Sequence, residues 1–176
     1  MKKLLALFLF ISIVSTACAA ETPFHIFEFN AAAGYIDRDD DTIERKLFAG
    51  EKVRGDVHID DCRKDAKWAS GFRMEIINID ESRSMAIGIV CVPQTGVFKA
   101  NWVKIEDLEN VVADSGAEIE VTGTNGVIPF EVSITKQALN FDIGDVSYEV
   151  DIGFKPHSMW FFGFGTQGVA KFYNTK

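Results

Sequence analysis

The sequence predicts an all-β protein, an antiparallel two-sheet β-sandwich of about twelve strands, with a closed β-barrel as the alternative. Three observations support this fold class. Apolar and polar residues alternate with a period of two over many short segments rich in Val, Ile, Phe and Tyr. Turn-forming residues separate these segments. No long segment has the 3.6-residue period of an amphipathic helix.

In the first half of the chain, the alternation predicts six strands, with a turn at Gly50–Glu51 and a polar hairpin loop at 81–84. The strands are expected at 24–30, 43–48, 52–60, 72–80, 85–92 and 96–105, followed by a helical turn at 106–110.

In the second half, Gly144–Asp145 has the composition of a two-residue type I′ or II′ hairpin loop. Residues 165–168 are predicted to form another hairpin turn, since they begin and end with glycine. The strands are expected at 118–121, 127–134, 139–143, 146–154, 159–164 and 169–174.

The N-terminus has the composition of an export signal. Lys2 and Lys3 precede an apolar run over residues 4–14, and Ala17 and Ala19 provide the small residues that a signal peptidase needs. The run is too short to cross a hydrocarbon core of about 30 Å as a helix. We therefore expect no transmembrane segment and an extracytoplasmic protein, either periplasmic or secreted.

Cleavage after Ala19 makes residues 1–19 the signal peptide and leaves 20–176 as a single β-sandwich domain. The alternative is a lipoprotein in which Cys18 is kept and acylated. Either way Cys62 and Cys91 remain, and two thiols in an oxidising compartment are expected to pair. A redox or metal pair would need the short C-x-x-C spacing, which these two cysteines lack.

The charge balance argues against polyanionic partners. The full chain has 18 basic and 26 acidic residues; without Lys2 and Lys3 the mature part has 16 against 26, a net charge of -10. Nucleic acids and anionic membranes bind basic surfaces, so neither is expected here.

The second half carries a resemblance to a known group of folds. Residues 129–134 (PFEVSI) followed by 138–145 (ALNFDIGD) resemble the paired strands of concanavalin-A-like and laminin-G-like sandwiches. This resemblance covers the last third of the chain. It implies a jelly-roll sandwich whose concave sheet often binds saccharides, with the first and last strands paired centrally in one sheet.

Glu149 and Asp151 are the strongest carboxylate candidates for a ligand site. Residues 149–154 are similar to the E-x-D-x-(x)-E strand of one family of concanavalin-fold glycosidases. Such enzymes need a second carboxyl group as proton donor, and here Gly153 or Phe154 takes its place. The strand therefore predicts a solvated face and a protein that is not an enzyme.

Asp37, Asp39 and Asp41 form a second acidic cluster, in a segment that also contains Asp40. Oxygen-rich loops bind calcium, but this one lacks the glycine and glutamate positions of an EF-hand. We expect either a plain solvated loop or a looser calcium site; calcium is the one cofactor that the sequence suggests.

The aromatic residues suggest a binding surface. Trp160, Phe161 and Phe162 are consecutive, so they cannot all face one side of a strand. A central strand buried on both faces would accommodate them. Alternatively, an outward ring stacks on a sugar or anchors a protein partner. Trp68 and Trp102 are further ligand-binding candidates.

Taken together, the sequence predicts an exported, lectin-like, non-catalytic β-sandwich that binds a ligand, with carbohydrate as the expected ligand. A structural or protein-interaction factor of the cell envelope is the alternative. A glycan-active hydrolase or lyase is the third hypothesis. The expected partners are thus a saccharide or an envelope protein.

Overall fold

The computed structural model describes residues 21–39, 50, 52–63, 69–93, 95–106, 111–135 and 138–173. These residues form thirteen strands and no helix. The strands are β1 (His25–Asn30), β2 (Ile36–Arg38), β3 (Lys52–Cys62), β4 (Ser70–Ile77), β5 (Arg83–Val92), β6 (Val97–Glu106), β7 (Val111–Ser115), β8 (Ile119–Val121), β9 (Val127–Ile134), β10 (Ala138–Ile143), β11 (Val146–Asp151), β12 (Ser158–Phe164) and β13 (Thr166–Tyr173).

The strands build two antiparallel sheets that form a sandwich. Sheet A has the order β1-β13-β3-β9-β10-β11, and sheet B has the order β2-β12-β4-β5-β6-β7, with β8 also paired to β6. The sheets are not closed into a barrel, so the predicted sandwich is confirmed and the barrel alternative is wrong. The part of the chain that the structure describes contains no helix long and apolar enough to cross a bilayer.

Alternation places one apolar set from each sheet in a shared core. On β9, Ile128, Phe130, Val132 and Ile134 are buried, and the residues between them are more exposed. Phenylalanine rings join the two layers: the Phe161 centroid of sheet B lies 4.3 Å from that of Phe172 in sheet A. This burial is the main favourable term in the stability of the sandwich.

The chain changes sheets at Gly165. Because β12 belongs to sheet B and β13 to sheet A, residues 165–168 do not form the predicted hairpin turn. Gly165 has φ +51°, a conformation that glycine adopts without strain, and Thr166 already begins β13.

The first and last strands pair as the resemblance implied, but not in the centre of the sheet. His25 lies opposite Phe172 and Asn30 opposite Gln167, so β1 and β13 are neighbours. However, β1 is the edge strand of sheet A.

Most predicted strands are confirmed within a few residues. Gly144 has φ +59° at the first position of the two-residue β10–β11 loop, as a type II′ hairpin turn requires. The short strands β2 and β7 were not predicted. The predicted leader, the strand at 43–48 and most of the helical turn at 106–110 lie outside the described residues.

The predicted disulfide is confirmed. Cys62 at the end of β3 bonds to Cys91 in β5, and their Cα atoms are 6.1 Å apart. Since β3 lies in sheet A and β5 in sheet B, the bond joins the two layers of the sandwich covalently.

Candidate functional site

The outer face of sheet B carries aromatic and charged side chains in register across five strands. Opposite one another, from the edge strand inward, are Arg38 of β2, Phe162 of β12, Arg73 of β4, Gly88 of β5 and Asn101 of β6. Because directly opposed residues of neighbouring strands point to the same face, this row lies side by side on the surface. We call it the Arg-Phe-Arg row.

A parallel row on each side extends this surface. On one side, Trp160 lies opposite Glu75, which lies opposite Ala86. On the other side, Phe164 follows the alternation of β12, and Ile36 of β2 lies beside it. We call the three rows together the sheet B face.

Each arginine of the central row packs against an aromatic ring. The Arg38 guanidinium carbon lies 4.0 Å from the centroid of Trp160 and 6.0 Å from that of Phe162. The Arg73 guanidinium carbon lies 4.5 Å from the centroid of Phe164. All three distances are within the range of cation–π attraction.

The guanidinium groups of these arginines make no hydrogen bond to the residues that the structure describes. Among the described residues, none accepts a hydrogen bond from either guanidinium or pairs with it as an anion. The Arg73 side chain is half-buried. Burial lowers the pKa of Arg73, and the Glu75 carboxylate partly opposes this shift. The face thus offers open, charged donors beside aromatic rings.

Small residues of β5 lie next to the arginines. A Cβ atom on Gly88 would lie 2.4 Å from Oδ1 of Asn101, so the Asn101 amide occupies the space above this glycine. Ala86 beside it is 2% exposed, so this part of β5, between Arg73 and β6, is covered by its neighbours.

The aromatic candidates divide between the two sides of sheet B. Phe161 is buried at 1% exposure, whereas Trp160 and Phe162 on the other side of β12 are half-buried. On that outward side Ser158 and Phe164 are buried, at 8% and 7% exposure, so β12 is largely covered on both faces. Trp160 and Phe162 are the two partly exposed rings, and their contact with a ligand stays a prediction. Trp102 lies opposite Ile87 and packs against the core, so it is not part of the sheet B face.

The other ligand-binding candidates do not join Trp160. Glu149 and Asp151 are exposed on β11, the far edge strand of sheet A. The N–H of Gly153 donates to Oδ1 of Asp151 at 2.9 Å. Trp68 lies outside the described residues.

The calcium candidates are partly engaged by the protein. The backbone N–H of Asn30 donates to Oδ2 of Asp37 at 2.7 Å, and the buried Asp39 pairs with Nε2 of His25 at 2.5 Å. Within the described residues, no three acidic, histidine or cysteine side chains are grouped to hold a metal. Asp41 lies outside them, so the calcium site stays a prediction.

A cavity of about 530 Å³ lies on the outer face of sheet A. Four carboxylates line it, and each has a protein partner: Glu21 with Arg54, Glu131 with Lys52, Asp142 with Ser147, and Asp56 with Tyr173. Burial and then the Asp56 contact raise the pKa of the Tyr173 hydroxyl. These carboxylates are engaged within the protein, whereas Nε of Arg54 in the same cavity is buried without a hydrogen-bond partner among the described residues. The aromatic rings beside its arginines make the sheet B face the stronger candidate site.

Comparisons with solved structures identify the architecture. Lactose- and MES-liganded congerin II aligns with TM-score 0.50 at 6% identity, over 76% of this chain and 98% of that one. Toad ovary galectin in complex with thio-digalactose aligns with TM-score 0.50 at 12% identity, over 80% and 99%. The protein shares the galectin-like jelly-roll fold.

A third structure gives the same result. The Caenorhabditis elegans galectin LEC-6 aligns with TM-score 0.51 at 9% identity, over 85% of this chain and 96% of that one. No family model and no curated protein matches the chain. At these identities the comparisons show the fold alone.

Proposed function

We propose that the protein is an exported, non-catalytic β-sandwich that binds carbohydrate on the sheet B face. The observation that carries the proposal is the Arg-Phe-Arg row beside Trp160, where partly exposed aromatic rings lie next to guanidinium groups whose donors have no acceptor among the described residues. Aromatic rings contact the apolar faces of sugars, and arginine, asparagine and glutamate side chains bind their hydroxyl groups. The galectin-like fold supports the proposal, since two of the similar structures hold saccharides.

Trp160→Ala is expected to weaken saccharide binding by about tenfold, because the indole and the guanidinium stacked on it are lost as a contact surface. A glycan array, run with and without calcium, identifies the ligand, and calorimetric titration then measures the affinity. Trp160→Phe should retain part of the affinity.

Trp102→Phe is the control for this experiment, because Trp102 faces the core side of the same sheet. It should leave binding unchanged. Unchanged affinity in Trp160→Ala would contradict the placement of the site. No binding to any glycan on the array, together with a co-purifying envelope protein, would contradict carbohydrate binding itself.

An interaction factor of the cell envelope is the second candidate function. Tyr35 and Ile36, at the edge of sheet B, are 70% and 54% exposed, and Ile36 lies beside Phe164. An apolar edge of this kind suits a protein contact. Tyr35→Ser should release such a partner and leave saccharide binding unchanged, because Tyr35 lies outside the sheet B face.

The absence of catalysis is part of the proposal. Glu149 and Asp151 are exposed on an edge strand, and Gly153 or Phe154 stands where a glycosidase of the similar pattern has a carboxyl group. Polysaccharide hydrolysis by the protein that Glu149→Gln abolished would overturn this point.

Export predicts a specific N-terminus for the protein recovered from outside the cytoplasm. We expect cleavage after Ala19, so that the chain starts at Ala20. Intact-mass spectrometry measures this directly. A diacylglycerol mass on Cys18 would establish the lipoprotein alternative, and an uncleaved chain would contradict export.

A further inference from the structure

We infer that the sheet B face selects an acidic saccharide, one bearing carboxylate or sulfate groups, which Arg38 and Arg73 bind together. The inference rests on the proposed function and specifies its ligand class.

The two arginines lie on either side of one ring. Arg38 and Arg73 are both directly opposite Phe162, on the strands that flank β12. Directly opposed residues have Cβ atoms about 5 Å apart. From these positions the Arg38 guanidinium lies over Trp160 and 6.0 Å from the Phe162 centroid, and the Arg73 guanidinium lies over Phe164, whose ring centroid is 5.9 Å from that of Phe162. A single ligand lying across this ring would contact both.

The aromatic rings hold the guanidinium groups without using their hydrogen bonds. Arg38 packs on Trp160 and Arg73 on Phe164, and these contacts engage the flat faces of the guanidinium groups. The N–H donors lie in the guanidinium plane and have no acceptor among the described residues. Two orientated sets of donors are thus available to an acceptor from outside.

An anionic group suits these donors best. The planar guanidinium matches the two oxygens of a carboxylate or sulfate, and charge-assisted hydrogen bonds are about twice as strong as neutral ones. Half-burial of Arg73 strengthens the attraction, because the effective dielectric constant is lower there than in water. A neutral sugar would gain only the weaker hydrogen bonds.

The local charge also favours an anion, although the whole chain carries a net charge of -8. Among the described residues of the rows around Phe162, Glu75 carries the carboxylate that faces the two arginines. Asp37 and Asp39, which adjoin Arg38 in sequence, are engaged by the N–H of Asn30 and by His25. Lys99, farther across the face, is paired with Glu118 at 3.4 Å.

The test compares neutral, uronate-containing and sulfated oligosaccharides on one array, followed by titration of the best ligand. Acidic glycans should bind in preference to neutral ones of the same length. Arg38→Gln and Arg73→Gln should each weaken this binding by about tenfold or more, the effect of removing a charged hydrogen-bond donor. Raising the salt concentration should weaken it further.

Arg83→Gln is the matched control, since it makes the same charge change at an exposed position whose side chain bonds to the carbonyl of Gly153. Arg83→Gln should bind the acidic glycan with the same affinity as the unmodified protein. Arg73→Lys keeps the charge but loses the planar fork, so its affinity should be intermediate. If Arg73→Gln does not fold, as judged by thermal unfolding, Arg38→Gln on the exposed edge strand decides the result.

The outcomes separate the two proposals. Equal binding of neutral and acidic glycans, with both arginine variants unaffected, would overturn the anionic specificity and leave carbohydrate binding standing. No binding to any glycan would overturn both. The uronate and sulfate arms distinguish the two sources of negative charge, and a preference for either supports the inference.

Discussion

Phe161→Ala should lower the free energy of unfolding by about 3–5 kcal/mol, the range for replacing a fully buried phenylalanine by alanine. Its ring is 1% exposed and lies 4.3 Å from the centroid of Phe172 and 6.3 Å from that of Phe72. The substitution therefore opens a cavity between the sheets. Because domains of this size are stable by about 5–15 kcal/mol, a large share of the stability would be lost. Urea denaturation with linear extrapolation measures the change.

Phe162→Ala is the matched control, since it makes the same substitution one residue along on the opposite side of β12. Phe162 is half-buried, so the loss of stability should stay below about 2 kcal/mol. Ligand affinity should fall more in Phe162→Ala than in Phe161→Ala, because only Phe162 lies between Arg38 and Arg73. Equal destabilisation by the two variants would contradict the assignment of the two faces.

The hairpin region shows what local sequence can predict. From β9 to β11 the alternation of apolar residues and the Gly144–Asp145 turn are properties of neighbouring residues, and the strands formed where expected. In such hairpins the loop sets the register, so few long-range contacts are needed to place them.

The sheet crossing at Gly165 shows what local sequence could not predict. A glycine-bounded segment such as 165–168 is compatible both with a hairpin and with a passage to another sheet. The two differ only in which distant strands pair with β12 and β13, here β4 and β3. The strand β2 was missed for a related reason, since its three residues are too few to show an alternation.

The candidate site was predicted only in part. The consecutive aromatic residues of β12 predicted that some rings point away from the core, because successive side chains of a strand point to opposite faces. Arg38, Arg73 and Asn101 were not predicted, since they come from three other strands and nothing local marks them. The same limit explains why Glu149 and Trp102 were grouped with Trp160, although they face other sides of the sandwich.

Removing the disulfide in the double variant Cys62→Ala/Cys91→Ala should lower the free energy of unfolding by about 3–4 kcal/mol in the chain-entropy model. The two cysteines are 29 residues apart in sequence and belong to different sheets. In the unfolded chain the bond removes the entropy of this loop, and in the folded protein it keeps β3 against β5. Thermal and urea unfolding measure the loss.

Reduction by dithiothreitol provides the control for this prediction. The unmodified protein in reductant should lose nearly the same stability as the double variant, whereas the double variant should not respond to reductant. Cys91 is 3% exposed, so the alanine variant also loses a small packing contribution that reduction preserves. Free thiols at both positions in exported protein would contradict the bond and remove the covalent link between the sheets. Noncovalent packing alone would then hold the two sheets together.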